Sequence, residues 1–321
     1  MLRYLDRTQI KSQILKPKQS ISLKEKVWLD LLEPTKTEKA LVEKQLGIKI
    51  PTREDMREIE LSSRLYHKKG AYFMTVTMLN QSDSSNPTLD PVTFILTDQQ
   101  LITIRYIEPQ AFNLFNLHAE KLKSQHRNPI SLLIELLDAA VERLADTLEL
   151  VGHRLDDYSD TIFRKEVRTK KHDYKQLMLQ IGPIGDLNTQ TQESLITFNR
   201  VLTYLMQAVG SKLNKKKQVH IDAMAKDIRS LGDHANFLSG KINFLLDATL
   251  GLVNIEQNNI IKILSVAAVI FLPPTLLASI YGMNFHHMPE LSWKYGYHFT
   301  LILEAASAWL PYKYFKYRKW L

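Results

Sequence analysis

The 321-residue chain has no cysteine, which excludes a disulfide scaffold, a thiol nucleophile and any zinc or iron–sulfur site built on thiolates. It also has no Walker-type glycine loop, no His-Glu-x-x-His pair and no nucleophile elbow, so nothing in it points to an enzyme. No uninterrupted apolar stretch follows Met1, and a cleaved signal peptide is not expected. What is present looks soluble on average: 45% hydrophobic, 24% charged, mean hydropathy −0.20. Those averages exclude a polytopic membrane protein, a disordered chain and a collagen-like repeat. The net charge of +8 is unevenly placed. Residues 258–321 hold six Lys/Arg against two Glu, whereas the first 257 residues are nearly balanced, with 36 basic and 32 acidic. A nucleic-acid partner is not expected, because the body has no basic face of its own.

The first 110 residues read as mixed structure. Val27 to Leu31 is strand-like and stops before Pro34. Thr37 to Leu46 reads as a helix closed by Gly47, and Pro51 to Met56 opens another with acids in its first turn. Ala71–Leu79, Val92–Thr97 and Leu101–Tyr106 are β-rich, with Asp98-Gln99-Gln100 as a hairpin link. After Pro129 the period changes. Ile130, Leu133, Leu137, Val141, Leu144, Leu148, Val151, Leu155, Tyr158 and Ile162 step by three and four, as on a long helix. A second helix is expected from Tyr174 to Val209, with Gly182-Pro183 as a candidate bend. Lys215-Lys216-Lys217 reads as a turn before a third stripe, Ile221 to Leu252, which continues with no helix stop. Packing of a helical bundle accounts for these stripes. His153, His172, His220 and His234 fall on these helices without ligand spacing and read as surface histidines.

Ile263 to Tyr281 is an uncharged run of nineteen residues, about 28 Å as a helix and close to the thickness of a bilayer core. Pro273-Pro274 lie inside it, which a membrane helix tolerates where neighbours or water satisfy the freed carbonyls. Tyr295 to Tyr312 reads as a second span despite Glu304, which costs roughly 2.5–3.5 kcal/mol at the centre of a bilayer. Trp293, Tyr295 and Tyr297 belt one end; Trp309, Tyr312 and Tyr314 belt the other. Lys313, Lys316, Arg318 and Lys319 fill the tail and put it, by the positive-inside rule, in the cytoplasm. Two spans return the chain to the side it left, so both termini are expected to be cytoplasmic. At 3.5 spacing the first span presents Asn258, Ile261, Ser265, Ala268, Leu272, Thr275 and Ser279. That stripe fits either a close-packed helix–helix face or the lining of a pore built from several copies.

The loop between the spans reads Tyr281-Gly282-Met283-Asn284-Phe285-His286-His287-Met288-Pro289-Glu290-Leu291. It resembles the signature of CorA-type magnesium transporters, Gly-Met-Asn at the end of the first span followed by Met-Pro-Glu-Leu. Pro273-Pro274-Thr275 upstream, Trp28 to Pro34, and Asn254 to Asn258 extend the resemblance over the whole chain. The resemblance implies a funnel-shaped homopentamer: an α+β cytoplasmic domain, a long helical stalk and two transmembrane helices. The expected boundaries are 1–128 for the α/β domain, 129–257 for the bundle and stalk, and 258–321 for the membrane part. Within the last, the spans cover about 261–281 and 295–312, the external loop 282–294 and the basic tail 313–321.

The function implied is Mg2+ influx across the cytoplasmic membrane, gated by intracellular Mg2+, with Co2+ or Ni2+ also passing and no organic cofactor. The selectivity filter maps onto Gly282, Met283 and Asn284, where amide and carbonyl oxygens would hold Mg2+ with its waters. Pore and gate positions map onto Asn258, Ile261, Leu264, Leu272 and Thr275, and Glu290 is the one carboxylate of the loop. Regulatory acids are expected on the stalk; Asp222, Asp227 and Asp233 are candidates, Asp227 first, and each also reads as part of a solvated face. Two departures stand out. His286, followed by His287, occupies the position after Phe285 where many relatives carry an acid, and Glu304 is unexpected. A protonated carboxyl, a neighbour's hydroxyl or a contact with backbone would each accommodate it. The alternatives to magnesium import are another divalent-cation transporter, such as a zinc exporter of the related ZntB type, and a membrane-tethered sensor or scaffold.

Overall fold

Runs such as Phe73-Met74-Thr75-Val76 and Phe94-Ile95-Leu96 place β-branched and apolar side chains on both faces of a strand, as a doubly covered sheet requires. The computed structural model, which describes residues 1–6, 13–14, 22–82, 84, 86–121, 128–163, 174–283, 288–318 and 320, contains such a sheet. Its strands are β1 (Leu2–Asp6), β2 (Gln13–Ile14), β3 (Lys26–Leu32), β4 (Leu65–Lys68), β5 (Ala71–Asn80), β6 (Thr88–Leu96) and β7 (Leu101–Arg105). They lie in the order β2-β1-β3-β7-β6-β5-β4. Only β3 and β7 pair in parallel, with Asp30 opposite Thr103 and Leu32 opposite Arg105; the other neighbours are antiparallel.

One face of the sheet buries Leu29, Leu31, Ile102 and Ile104 with Val42 of α1 (Lys36–Leu46) and Met56 of α2 (Arg53–Arg57). Both helices open on a capping box, Thr35 with Glu38 and Thr52 with Asp55. Gly47 ends α1 at φ 70°, its N–H donating to the Glu43 carbonyl at 2.9 Å. A short α3 (Leu61–Arg64) leads into β4. On the sheet's other side, Trp28 of β3 meets Phe115 of α4 (Gln110–Lys121) edge to face at 5.0 Å.

The register places an ion pair inside this layer. Arg105 donates to Asp30 through Nε at 3.0 Å and Nη2 at 2.8 Å, and the two side chains are 2% and 1% exposed. Thr103 donates to the same carboxylate at 2.7 Å, and the guanidinium lies 4.3 Å from the Phe112 ring centre. Arg105 Nη1 also donates to the Ile107 carbonyl at 2.9 Å, so each guanidinium nitrogen and both carboxylate oxygens have a partner, as burying two charges requires.

Three long helices follow: α5 (Pro129–Phe163), α6 (Tyr174–Val209) and α7 (Lys215–Tyr281). The predicted stripe of α5 is its buried face from Leu133 through Leu155. α6 continues as one helix through Gly182-Pro183. It is fixed to the sheet by Ser194, whose hydroxyl donates to the Thr77 carbonyl at 2.6 Å, and by Thr197, which accepts from the Thr77 N–H at 3.0 Å. Buried Asn188 ties α6 to α7 through the Ala235 carbonyl at 3.0 Å and Ser239 at 2.8 Å.

The reading of Lys215-Lys216-Lys217 as a turn is corrected: these residues begin α7. The reversal occupies Gly210 to Asn214, and the Asn214 side chain accepts from the Lys217 N–H at 3.0 Å, as an N-cap does. By compactness the chain divides into Met1–Leu246 and Asp247–Leu321, and α7 contributes to both. Among the described residues α7 is the one helix long and apolar enough to cross a membrane. α8 (Gly296–Tyr317) follows it, with Glu304 near its middle and Lys313 and Lys316 near its end.

Candidate functional site

The 3.5-spaced positions of α7 lie on exposed helix: Asn258, Ile261, Ser265, Ala268, Leu272, Thr275 and Ser279, with Leu264 beside them. Ile261, Leu264 and Leu272 are 60%, 64% and 67% exposed, whereas Val266 is fully covered. Seen as one chain, this face therefore carries large apolar side chains with nothing over them, interspersed with amide and hydroxyl groups and no formal charge. The helix passes through Pro273 and Pro274, which have no N–H to give to the carbonyls four residues back, those of Val269 and Ile270. The Thr275 hydroxyl donates to the Phe271 carbonyl at 2.7 Å, which leaves its oxygen lone pairs free to accept.

Gly282 closes α7. Its N–H donates to the Ala278 carbonyl at 2.9 Å, and a Cβ here would stand 3.1 Å from that same oxygen. A side chain would press on the last turn of the helix, so glycine suits the position through space rather than through an unusual φ. Met283 follows, its N–H donating to the Ile280 carbonyl at 3.2 Å. Asn284, and with it Phe285, His286 and His287, lies outside the described residues. Glu290 falls in a single 3-10 turn, Pro289–Ser292, ahead of α8. Of the three residues expected to form the filter, Gly282 and Met283 are described, and both stand at the helix end.

The stalk acids separate. Asp222, Asp227 and Asp233 are all exposed, but Asp227 alone of the three lines a groove of about 610 Å³ between α5 and α7. Glu135, Asp138, Glu142 and His220 share it. His220, read from sequence as a plain surface histidine, is paired: its Nε2 lies 2.5 Å from Asp138 Oδ2. Burial pushes the Asp138 carboxyl above the usual carboxylate range, Asp227 adds to the rise, and the His220 contact opposes it. Among the described residues no group of three or more Asp, Glu or His is placed to chelate a metal ion within one chain.

The sign of the Asp138 shift gives a test. A carboxyl whose folded pKa is raised holds more protons folded than unfolded, so stability falls as pH rises from the ordinary carboxylate range, about 4, toward the folded value. Thermal unfolding of the purified protein over that range is expected to show a decline in Tm that Asp138→Asn flattens. An equal slope in the variant would remove Asp138 as its source.

The sequence separation of 82 between Asp138 and His220 hides this pair from a sequence reading, since no local pattern links them. The 3.5-spaced stripe and the helix-ending glycine were visible in the sequence. The CorA-like Mg2+ transporter family matches residues 24–318 of this chain. The magnesium transport protein CorA of Salmonella typhimurium (strain LT2) is 33% identical over 310 residues, 96% of either chain. Among solved structures, the complete CorA magnesium transporter from Methanocaldococcus jannaschii superposes with a TM-score of 0.79 at 21% identity, covering 100% of this chain and 99% of that one. The cytoplasmic domain of ZntB from Vibrio parahaemolyticus shares the fold more loosely, with a TM-score of 0.55 and 11% identity over 78% of this chain and 97% of that one. With a family match over nearly the whole length and a relative of that identity and coverage, the chain belongs to the CorA family.

Proposed function

We infer that this protein is a channel-type magnesium transporter, a homopentamer that admits Mg2+ across the cytoplasmic membrane and is gated by Mg2+ inside. The observation that carries the reading is the uncovered, uncharged face of α7 ending at Gly282 and Met283, in a chain of this family. One helix cannot enclose a path. A closed ring of copies contributes one α7 each and covers the apolar residues that a lone chain exposes. Phe237 and Phe244, two turns apart and 65% and 57% exposed, offer a further surface for a neighbour outside the span. In this arrangement 1–128 and 129–257 are the α/β domain and stalk, and 258–321 is the membrane part. α8 is its second span, and both termini are cytoplasmic.

The chemistry follows from magnesium's reluctance to shed water. A ring of Asn284 amide oxygens, with the carbonyls of Gly282 and Met283, accepts hydrogen bonds from the hydrated ion and holds it without stripping it. Neutral oxygens also release it, where a carboxylate ring would retain it. Glu290 supplies negative charge at the outer mouth. Further in, Leu272 and Leu264 form apolar constrictions that close by excluding water, between polar rings at Thr275 and Asn258. Ile261 separates the inner two. Regulation draws on Asp227. Its groove also holds Glu135, Asp138 and Glu142; an ion shared there with a neighbouring subunit, and lost at low internal Mg2+, loosens the ring.

The test is flux into proteoliposomes holding only the purified protein. Mg2+ influx that high internal Mg2+ suppresses is expected, with Co2+ and Ni2+ also entering. Zinc export against a proton gradient with no Mg2+ influx would replace this reading by the ZntB-like one. Absence of flux for every divalent ion would leave a membrane-tethered sensor.

A further inference from the structure

One ionisable group has no part in that path. Glu304 sits eight residues into α8, about 12 Å from the helix start, with Leu301, Ile302, Leu303, Ala305 and Ala306 as its neighbours in sequence. Among the described residues no hydrogen bond or ion pair reaches its carboxylate. It lines a cavity of about 410 Å³ whose other walls include Tyr281, Gly282, Tyr297 and Thr300. An ionisable side chain placed in a membrane span without a partner marks a pathway or a binding site, because its burial has to be offset by something that binds it.

The lining favours one class of ligand. Thr300 stands one turn before Glu304 on the same face, and its hydroxyl donates to the Gly296 carbonyl at 2.9 Å, so its oxygen is left as an acceptor. Tyr281 and Tyr297 also line the cavity, and a phenol oxygen accepts as well as donates. One carboxylate and several neutral oxygens are too few to chelate a bare ion, but they match the outer-sphere needs of a hydrated one. Six waters occupy about 180 Å³, which the cavity holds with room to spare. Lys294 also lines it and opposes a cation there; the residue is exposed, and its long stem lets the ammonium stay in water.

We propose that the cavity between the end of α7 and α8 is a second cation site, in which Glu304 holds a hydrated divalent ion. The proposal rests on the transport reading, because it needs α8 to be a span and the cargo to be a divalent ion. It is separable from that reading, because binding is measured without flux.

Dicyclohexylcarbodiimide, which attacks carboxyl groups in apolar surroundings, is applied to the purified full-length protein at fixed pH, with adduct on the Glu304 peptide read by mass spectrometry. Labelling is expected in metal-free protein and is expected to slow several-fold in millimolar Mg2+. The same protection is expected in Asn284→Ala, whose filter is lost, and at lower Mg2+ in Lys294→Gln. In flux assays Glu304→Gln is expected to raise the half-saturating Mg2+ concentration several-fold. Labelling that follows pH but ignores Mg2+ would make Glu304 a proton site and overturn the proposal. So would the absence of labelling in metal-free protein, or an unchanged half-saturating concentration in Glu304→Gln. Absence of flux from the wild-type protein, with Mg2+ protection intact, would count against the transport reading alone.

Discussion

Proteoliposomes containing Asn284→Ala are expected to take up Mg2+ at least about tenfold more slowly than the wild type. A net hydrogen bond is worth about 0.5–1.5 kcal/mol, and a single substitution removes one such acceptor from every subunit of a ring. Loss of about 1.4 kcal/mol already lowers occupancy tenfold, so the proposed ring of five would exceed that without any change of fold. Asn284→Asp separates binding from passage. A ring of carboxylates is expected to raise affinity for the hydrated ion and lower the maximal rate, since the ion then leaves slowly. Uptake at the wild-type rate by Asn284→Ala would remove Asn284 from the filter. Tracer influx at graded external Mg2+ resolves both parameters.

Arg105→Ala is expected to destabilise the sheet-containing unit by about 3–5 kcal/mol, because it leaves Asp30 charged and unpaired inside the protein. Thr103 would still donate to that carboxylate, but one neutral hydrogen bond does not replace a two-point guanidinium contact. The double substitution Asp30→Asn with Arg105→Met is expected to recover much of the loss, since it removes both charges and keeps the volume. Thermal unfolding of the three proteins in the same detergent orders them. An Arg105→Ala protein as stable as the double variant would show that the pair is compensated from elsewhere.

These two sites also mark what one sequence does and does not carry. Asp30 lies in Trp28 to Pro34, a stretch already notable for its family resemblance, yet its role was not legible. Its partner is 75 residues away and reaches it only through the parallel register of β3 and β7. The strands β5, β6 and β7 were legible to within a few residues, because long apolar runs have few alternatives. β1, β2 and β4 were not, being short or edge strands whose pairing is decided by neighbours. α4 went unread, although Ala111, Phe112 and Phe115 do carry a helical spacing behind Pro109. The lysines of 215–217 looked like a break by charge alone; lysine is a good helix former, and Asn214 was the better boundary signal.

The site divides in the same way. The 3.5-spaced stripe of α7 is a reading of periodicity, and Gly282 of its place at a helix end. The groove that gathers Asp138, His220 and Asp227 depends on how α5 meets α7, which no local pattern encodes. Glu304 was conspicuous as a charge in an apolar run, but the cavity beside it comes from residues on two helices and the turn joining them.

The tandem prolines have a mechanical consequence. A helix resists bending through its ladder of backbone hydrogen bonds, and at Val269 and Ile270 two consecutive rungs have no donor. Compliance is therefore concentrated in one short stretch, with stiffer helix on both sides. Gly282 lies eight residues past Pro274, about 12 Å along the axis, so a bend of about 5° there carries it sideways by about 1 Å. Leu264 lies before the soft stretch and is not displaced by such a bend. In the proposed pore, such tilting would open and narrow the outer mouth while the inner constriction at Leu264 holds still.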